Sequence, residues 1–221
     1  MKRHGSDNAV RRKVTPRAWP WRNEARRISA VALASCTVLP SPARAQTDEA
    51  DRIMAAVRLG GTVLVCRHAK TTSFNEREPV DYEDESTQRL LSREGERQSA
   101  AMGRAILSRE IAVSEVIASP MQRARRTAEL MFERPVVIDS SWHTNGSTYP
   151  EAPRQERIAM LESPPSSGNR IIISHIGTMG SVLPLEGRRV REGDCVVVSP
   201  GGSAFTFLGV VPYEAWGGRG R

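Results

Sequence analysis

The sequence predicts an α/β fold: a three-layer sandwich with a mainly parallel central sheet. Short β-rich runs alternate with segments of helical period, which indicates helices packed on both faces of a sheet. Two runs, TVLVC at 62–66 and RIIIS at 170–174, are almost wholly apolar, as strands buried on both faces are. Beyond a basic leader the chain has 176 residues, enough for one well-buried domain and few for two.

The elements follow in order. Residues 51–58 have the pattern of a short amphipathic helix, stopped by Gly60-Gly61. TVLVC is the first strand, and residues 69–91 are polar with no clear period. Ser92 is a suitable cap for a helix to about Arg109, with Ala101, Ala105 and Ile106 toward the core. EVIAS at 115–119 is the second strand, and Pro120 opens a helix to about Phe132. VVI at 136–138 is a third strand, 139–153 a loop and 154–162 a short helix. RIIIS is the fourth strand. DCVVVS at 194–199 and AFTFLGVV at 204–211 form a closing hairpin around Gly201-Gly202, and the final AWGGRGR reads as a frayed end.

The formal net charge is +7, a value that alone points to nucleic acid or a membrane surface. Its distribution removes that reading. Residues 1–45 carry a net +8 and residues 46–221 a net −1. A basic stretch, the 12-residue apolar run ISAVALASCTVL at 28–39 and Ala43-Arg44-Ala45 together read as a secretory signal peptide over 1–45. Cleavage is expected after Ala45, which makes the mature protein periplasmic or secreted. Leu33-Ala34-Ser35-Cys36 offers a second possibility, a lipoprotein anchored through Cys36. The apolar run is too short to span a bilayer. Cys66 and Cys195 lie in apolar strand-like runs, so two buried free thiols are expected. A disulfide would require their strands to be neighbours.

Chemistry is concentrated where strands end. His68 follows the first strand, preceded by Arg67, and His175 follows the fourth. Ligands of open α/β sheets bind at the carboxyl ends of strands. The second strand leads through Ser119-Pro120 to Arg123, on the first turn of a helix whose amides also favour an anion. Three histidines beyond the leader, without metal-ligand spacing, do not suggest zinc. No Walker loop, GxGxxG or nucleophile elbow is present.

Four segments, in order and each on its expected element, resemble the histidine phosphatase superfamily and its phosphoglycerate mutase-like fold. They are Arg67-His68-Ala69, Leu91-Ser92-Arg93-Glu94-Gly95 with Gln98, Ala118-Ser119-Pro120 through Arg123-Ala124 to Thr127-Ala128, and Ser174-His175. The resemblance covers about residues 61–211 and is greatest to the short bacterial branch. It implies hydrolysis of phosphate monoesters or related phosphoryl compounds through a phosphohistidine on His68. Arg67, Arg123 and His175 would hold the phosphoryl oxygens, and no metal or other cofactor is required. The implied partner is a phosphorylated small molecule or a phosphoprotein, with no nucleic acid.

The family's usual acid lies in a loop beyond the second arginine. Glu151 occupies that loop, without the usual surrounding pattern, and Asp81, Glu83 and Asp84 are further candidates. Thr71 is a candidate for holding the loop or an anion. His143, with Trp142 and Asn145, falls in a loop that could cover the site. Ile176 stands where many members have glycine. A phosphoglycerate mutase-like isomerase and a non-catalytic phosphate-ligand binding protein are the rival readings.

Overall fold

A computed structural model describes residues 42–73, 76, 80–143 and 151–216, with side chains from residue 49 and, in the last segment, from residue 153. The leader before Pro42 lies outside the described residues, as do Asn145 and the end of the chain from Gly217.

Among the described residues, six strands form one sheet. In chain order they are β1 (Val63–Arg67), β2 (Val113–Ala118), β3 (Val137–Ile138), β4 (Asn169–Ser174), β5 (Cys195–Pro200) and β6 (Phe205–Val211). Their spatial order is β3-β2-β4-β1-β5-β6. The β1–β4, β4–β2 and β2–β3 pairs are parallel, and β5 and β6 close the sheet as an antiparallel hairpin. The described residues also form five α-helices: α1 (Pro42–Leu59), α2 (Arg93–Ser108), α3 (Gln122–Phe132), α4 (Glu151–Glu162) and α5 (Ile176–Gly180).

Alternate residues of each central strand serve two separate cores, as the period of two requires. Leu64, Cys66, Ile171, Ile173 and Val197 join Val57, Met102, Ala124 and Ala128 in one cluster. Val63, Val65, Ile172, Val196 and Val198 join Trp142, Leu161, Met179 and Leu183 in the other. Burial on both faces explains why these strands read as unbroken apolar runs.

Several boundaries differ from expectation. The first helix begins at Pro42, so it spans the expected cleavage point after Ala45. Pro120 does not open α3. Met121 is the N-cap, with extended backbone and no side-chain cap. The helix expected from residue 154 begins at Glu151. The five-residue α5 was not anticipated, being too short to carry a hydrophobic period. Part of the expected frayed end is structural, since a 3-10 turn over Tyr213–Trp216 buries Trp216 in the first core. Trp142 is likewise core and fully buried, rather than a cover over the site.

The two free thiols are also corrected. β1 runs antiparallel beside β5, and the register sets Cys66 opposite Cys195. The two are joined by a disulfide. Nothing in either strand alone announces this neighbour, which is distant in the chain.

Candidate active site

Sheet order assembles the site. With β4 between β2 and β1, the chain leaves three adjacent parallel strands at the same edge. The ladder continues beyond them: His68 N–H donates to Ser174 O at 3.0 Å, and Ser119 N–H to Ile173 O at 3.0 Å. His68, Arg123 and His175 are thereby brought together. The rings of His68 and His175 lie 5.3 Å apart.

His68 is buried, and its Nδ1 lies 2.9 Å from the carbonyl oxygen of Ala69. A carbonyl only accepts, so Nδ1 carries the proton and Nε2 keeps its lone pair. Burial pushes the His68 pKa down to about 3, and Arg123, Arg67 and Arg89 add to the effect. The imidazole is therefore neutral, as a nucleophile must be. His175 is held well below its ordinary value by burial, then by Arg123, His68, His143 and Arg89. Its Nε2 lies 2.8 Å from Ser119 Oγ, while its Nδ1 is buried without a hydrogen-bond partner.

The arginines repeat that pattern. Nε of Arg67, Arg89 and Arg123 is buried in each case and has no hydrogen-bond partner. Buried donors are ordinarily satisfied, and a group of orphaned cationic ones is a place prepared for an anion. Arg67 also donates from Nη1 to Val190 O at 3.2 Å and lies 3.7 Å from Glu192. The guanidinium of Arg123 is in direct contact with the Glu76 carboxylate.

Arg89 was missed by the sequence reading. It acts electrostatically on Arg67, His68, Arg123 and His175 alike, lowering the pKa of each. It reaches them because the polar segment turns back on itself, with Thr72 N–H donating to Leu90 O at 3.0 Å and Thr71 bridging to Leu91. The adjacent Thr-Gln-Arg-Leu-Leu sequence carries no periodic signal.

Other motif residues hold the loop that carries His68. Thr127 Oγ1 accepts from Ala69 N–H at 3.1 Å and donates to Arg123 O at 2.6 Å. Gln98 accepts from Lys70 N–H at 2.9 Å and donates to Glu192 O at 2.9 Å. A Cβ at Gly95 would stand 2.0 Å from Lys70 O, so only glycine permits this approach. Ser92 caps α2 as expected, accepting from Gly95 N–H at 3.1 Å.

The remaining candidates separate. Thr71 donates to Glu192 at 3.0 Å, on the Arg67 side of the site. His143 stands edge-on to His175, with ring centroids 5.6 Å apart, and Tyr82 stands edge-on to His143. Ser174 Oγ, donating to Trp142 O at 2.9 Å, fixes that arrangement. Asp81 accepts from Glu83 N–H, and Asp84 accepts from Ser86 N–H as a turn cap. The Glu83 side chain is 86% exposed and lies near Arg125. Glu151 begins α4, but its side chain lies outside the described residues. Ile176 is partly exposed beside His175. A cavity of about 1120 Å³ lies on the far side of Arg67, walled by Lys70, Arg97, Arg189 and Glu192 among others, and neither histidine lines it. Among the described residues no group of three or more His, Cys, Asp or Glu side chains is placed to hold a metal ion. Among them, too, no helix is long and apolar enough to cross a membrane.

With this geometry in place, comparison with known proteins agrees with the motifs. Residues 63–144 match the sequence model of the Histidine phosphatase superfamily (branch 1). No curated protein matches the chain in sequence. Among solved structures, the protein histidine phosphatase SixA complexed with tungstate superposes with a TM-score of 0.53 at 17% identity, covering 69% of this chain and 97% of that one. A phosphoglycerate mutase from Bacillus anthracis str. Sterne gives a TM-score of 0.50 at 14% identity, covering 71% and 95%. The expected phosphoglycerate mutase-like fold is thus the fold of this chain.

Proposed function

Starting from the similarity of residues 63–144 to the histidine phosphatase superfamily, branch 1, we propose that the chain is a phosphatase acting through a phosphohistidine intermediate. The observation that carries this reading is the set of buried, unpartnered nitrogens around one neutral histidine: the Nε donors of Arg67, Arg89 and Arg123, and Nδ1 of His175. The three guanidinium groups form a cationic cradle around a nucleophile, with the neutral His175 beside them.

The mechanism follows from that arrangement. The phosphoryl group of the substrate settles among the guanidinium groups, whose planar forks engage two oxygens each. His68 Nε2 attacks phosphorus, and the leaving oxygen departs with the bonding pair and a proton. The imidazole becomes cationic, and the Nδ1–H···O=C bond to Ala69 holds its charge. Water then attacks phosphorus, which breaks the P–N bond and releases phosphate. The fixed cations stabilise charge as it develops on the transferring group. Phosphate monoesters and related phosphoryl compounds, on small molecules or proteins, are the proposed substrate class, and the enzyme class is that of the phosphoric monoester hydrolases.

The leader supports export to the periplasm or beyond, and a Cys66–Cys195 disulfide suits such an oxidising compartment. The functional test is phosphate release by the full chain from a panel of phosphorylated compounds, with chelator present and His68→Ala as control. Turnover abolished by that substitution is expected. Turnover that survives loss of His68, or that requires an added divalent metal, would refute the mechanism.

A further inference from the structure

We propose that Glu76 is the general acid that protonates the leaving oxygen. The assignment rests on the phosphatase reading and names the residue that the sequence left open. Among the described residues, Glu76 is the one carboxylate in contact with Arg123. Arg123 is in turn the strongest charge acting on both His68 and His175. Glu76 is thus one side chain removed from the reacting nitrogen. The Arg123 side chain is 7% exposed and that of Glu76 27%, so the cation is buried while the carboxylate keeps access to solvent.

The contact has a consequence for catalysis. An incoming phosphoryl group takes Arg123 with its own oxygens and places a second anion against the Glu76 carboxylate. Two anions in contact at one partly buried cation favour uptake of a proton by one of them. A proton taken from solvent by Glu76 then lies beside the scissile bond. As His68 Nε2 forms the P–N bond, the P–O bond breaks, its electron pair stays on the leaving oxygen, and Glu76 supplies that oxygen with its proton. In the second step the Glu76 carboxylate takes a proton from the attacking water; that proton returns to solvent as phosphate leaves, which restores the ion pair with Arg123.

The candidate acids Asp81, Glu83 and Asp84, and Glu192 beside Arg67, are committed elsewhere. Asp81 and Asp84 accept from backbone N–H groups of their own turn, and Glu83 points to solvent near Arg125. Glu192 accepts from Thr71 and faces the outer side of Arg67, toward the cavity that neither histidine lines.

The test is a series of ring-substituted phenyl phosphates that differ in leaving-group basicity. It is read as kcat/KM for the full-length wild-type protein and Glu76→Gln, because kcat/KM reports the step in which the leaving group departs. Loss of a general acid costs about 100-fold or more with the poorest leaving group and under about tenfold with a dinitrophenyl ester. The dependence on leaving-group basicity therefore steepens in the variant. An equal loss across the series would mean that Glu76 only positions Arg123. An equal gain would mean that it only blocks the anion slot. Either result overturns the assignment while leaving the phosphatase reading intact. Absence of His68-dependent turnover in the wild type would instead overturn both.

Discussion

Nδ1 of His68 lies 2.9 Å from the carbonyl oxygen of Ala69, its own neighbour in the chain. On the proposed mechanism this contact determines which nitrogen reacts, since the other nitrogen alone has a free lone pair. A phosphoenzyme trapped by rapid acid-free quenching will therefore carry phosphate on Nε2 of His68. Phosphorus NMR separates the two phosphohistidine isomers, and an Nδ1 adduct would contradict the geometry.

The same burial makes stability depend on pH. In the unfolded chain a histidine takes up its proton near pH 6.5, whereas folded His68 resists protonation until about pH 3. Between those values the unfolded state binds more protons, so stability falls as pH drops from 6.5 toward 3. His175, lowered in the same direction, adds to the loss. Urea unfolding at pH 7 and pH 5 will reveal a smaller loss in His68→Gln than in the wild type. An equal loss in both would indicate that this imidazole does not contribute.

Arg89 illustrates the conflict between binding and stability. A cation with a buried, unpartnered Nε among other cations destabilises the ligand-free fold. Arg89→Met is expected to raise unfolding stability by about 1 kcal/mol, in the range typical of relieving a strained functional position. It should also raise the KM for a phosphate ester roughly tenfold or more, as loss of a charged hydrogen bond does. A variant that binds equally well would remove Arg89 from the phosphate site.

Legibility in the sequence followed local context. β1 and β4 were readable because burial on both faces leaves continuous apolar runs, and His68 and His175 were readable because each directly follows one. Arg123 came with its strand and helix. Arg89 and Glu76 lie in a segment without a period, and they enter the site only through the fold of that segment around Leu90 and Arg123. The Cys66–Cys195 pair depended on β5 crossing over to lie beside β1, a matter of topology rather than of either strand. Gln98 and Thr127 belong to the sequence motifs, yet their work of holding Ala69 and Lys70 emerges only from the hydrogen bonds.

Ser119→Ala tests how His175 is oriented. The hydroxyl lies 2.8 Å from Nε2, and Nδ1 is buried without a hydrogen-bond partner. Removing the hydroxyl frees the ring to rotate without altering charge. A roughly tenfold fall in kcat is expected, of the order seen when a residue orienting a catalytic histidine is lost, with little change in the unfolding midpoint. Thr at the same position keeps the hydroxyl and should restore most of the rate. Failure of Thr to rescue would indicate a packing role instead.

The disulfide is expected to serve stability rather than rate. It closes a loop spanning 129 positions of the chain, the length class in which a cross-link restricts the unfolded state strongly. Replacing both cysteines with alanine should cost about 2–4 kcal/mol, read from the denaturant midpoint, and reducing agent should have a similar effect on the wild type. The loop that carries His68 has separate restraints. Arg67 N–H donates to Asp194 O at 3.0 Å, and Gly193 N–H donates to the carbonyl oxygens of Arg67 and His68. These bonds persist without the sulfur bridge, so kcat at low temperature should change by less than about threefold, well under 1 kcal/mol of barrier. A collapse of kcat in protein that remains folded would reveal that the bridge, and not the backbone around Gly193, sets the position of His68.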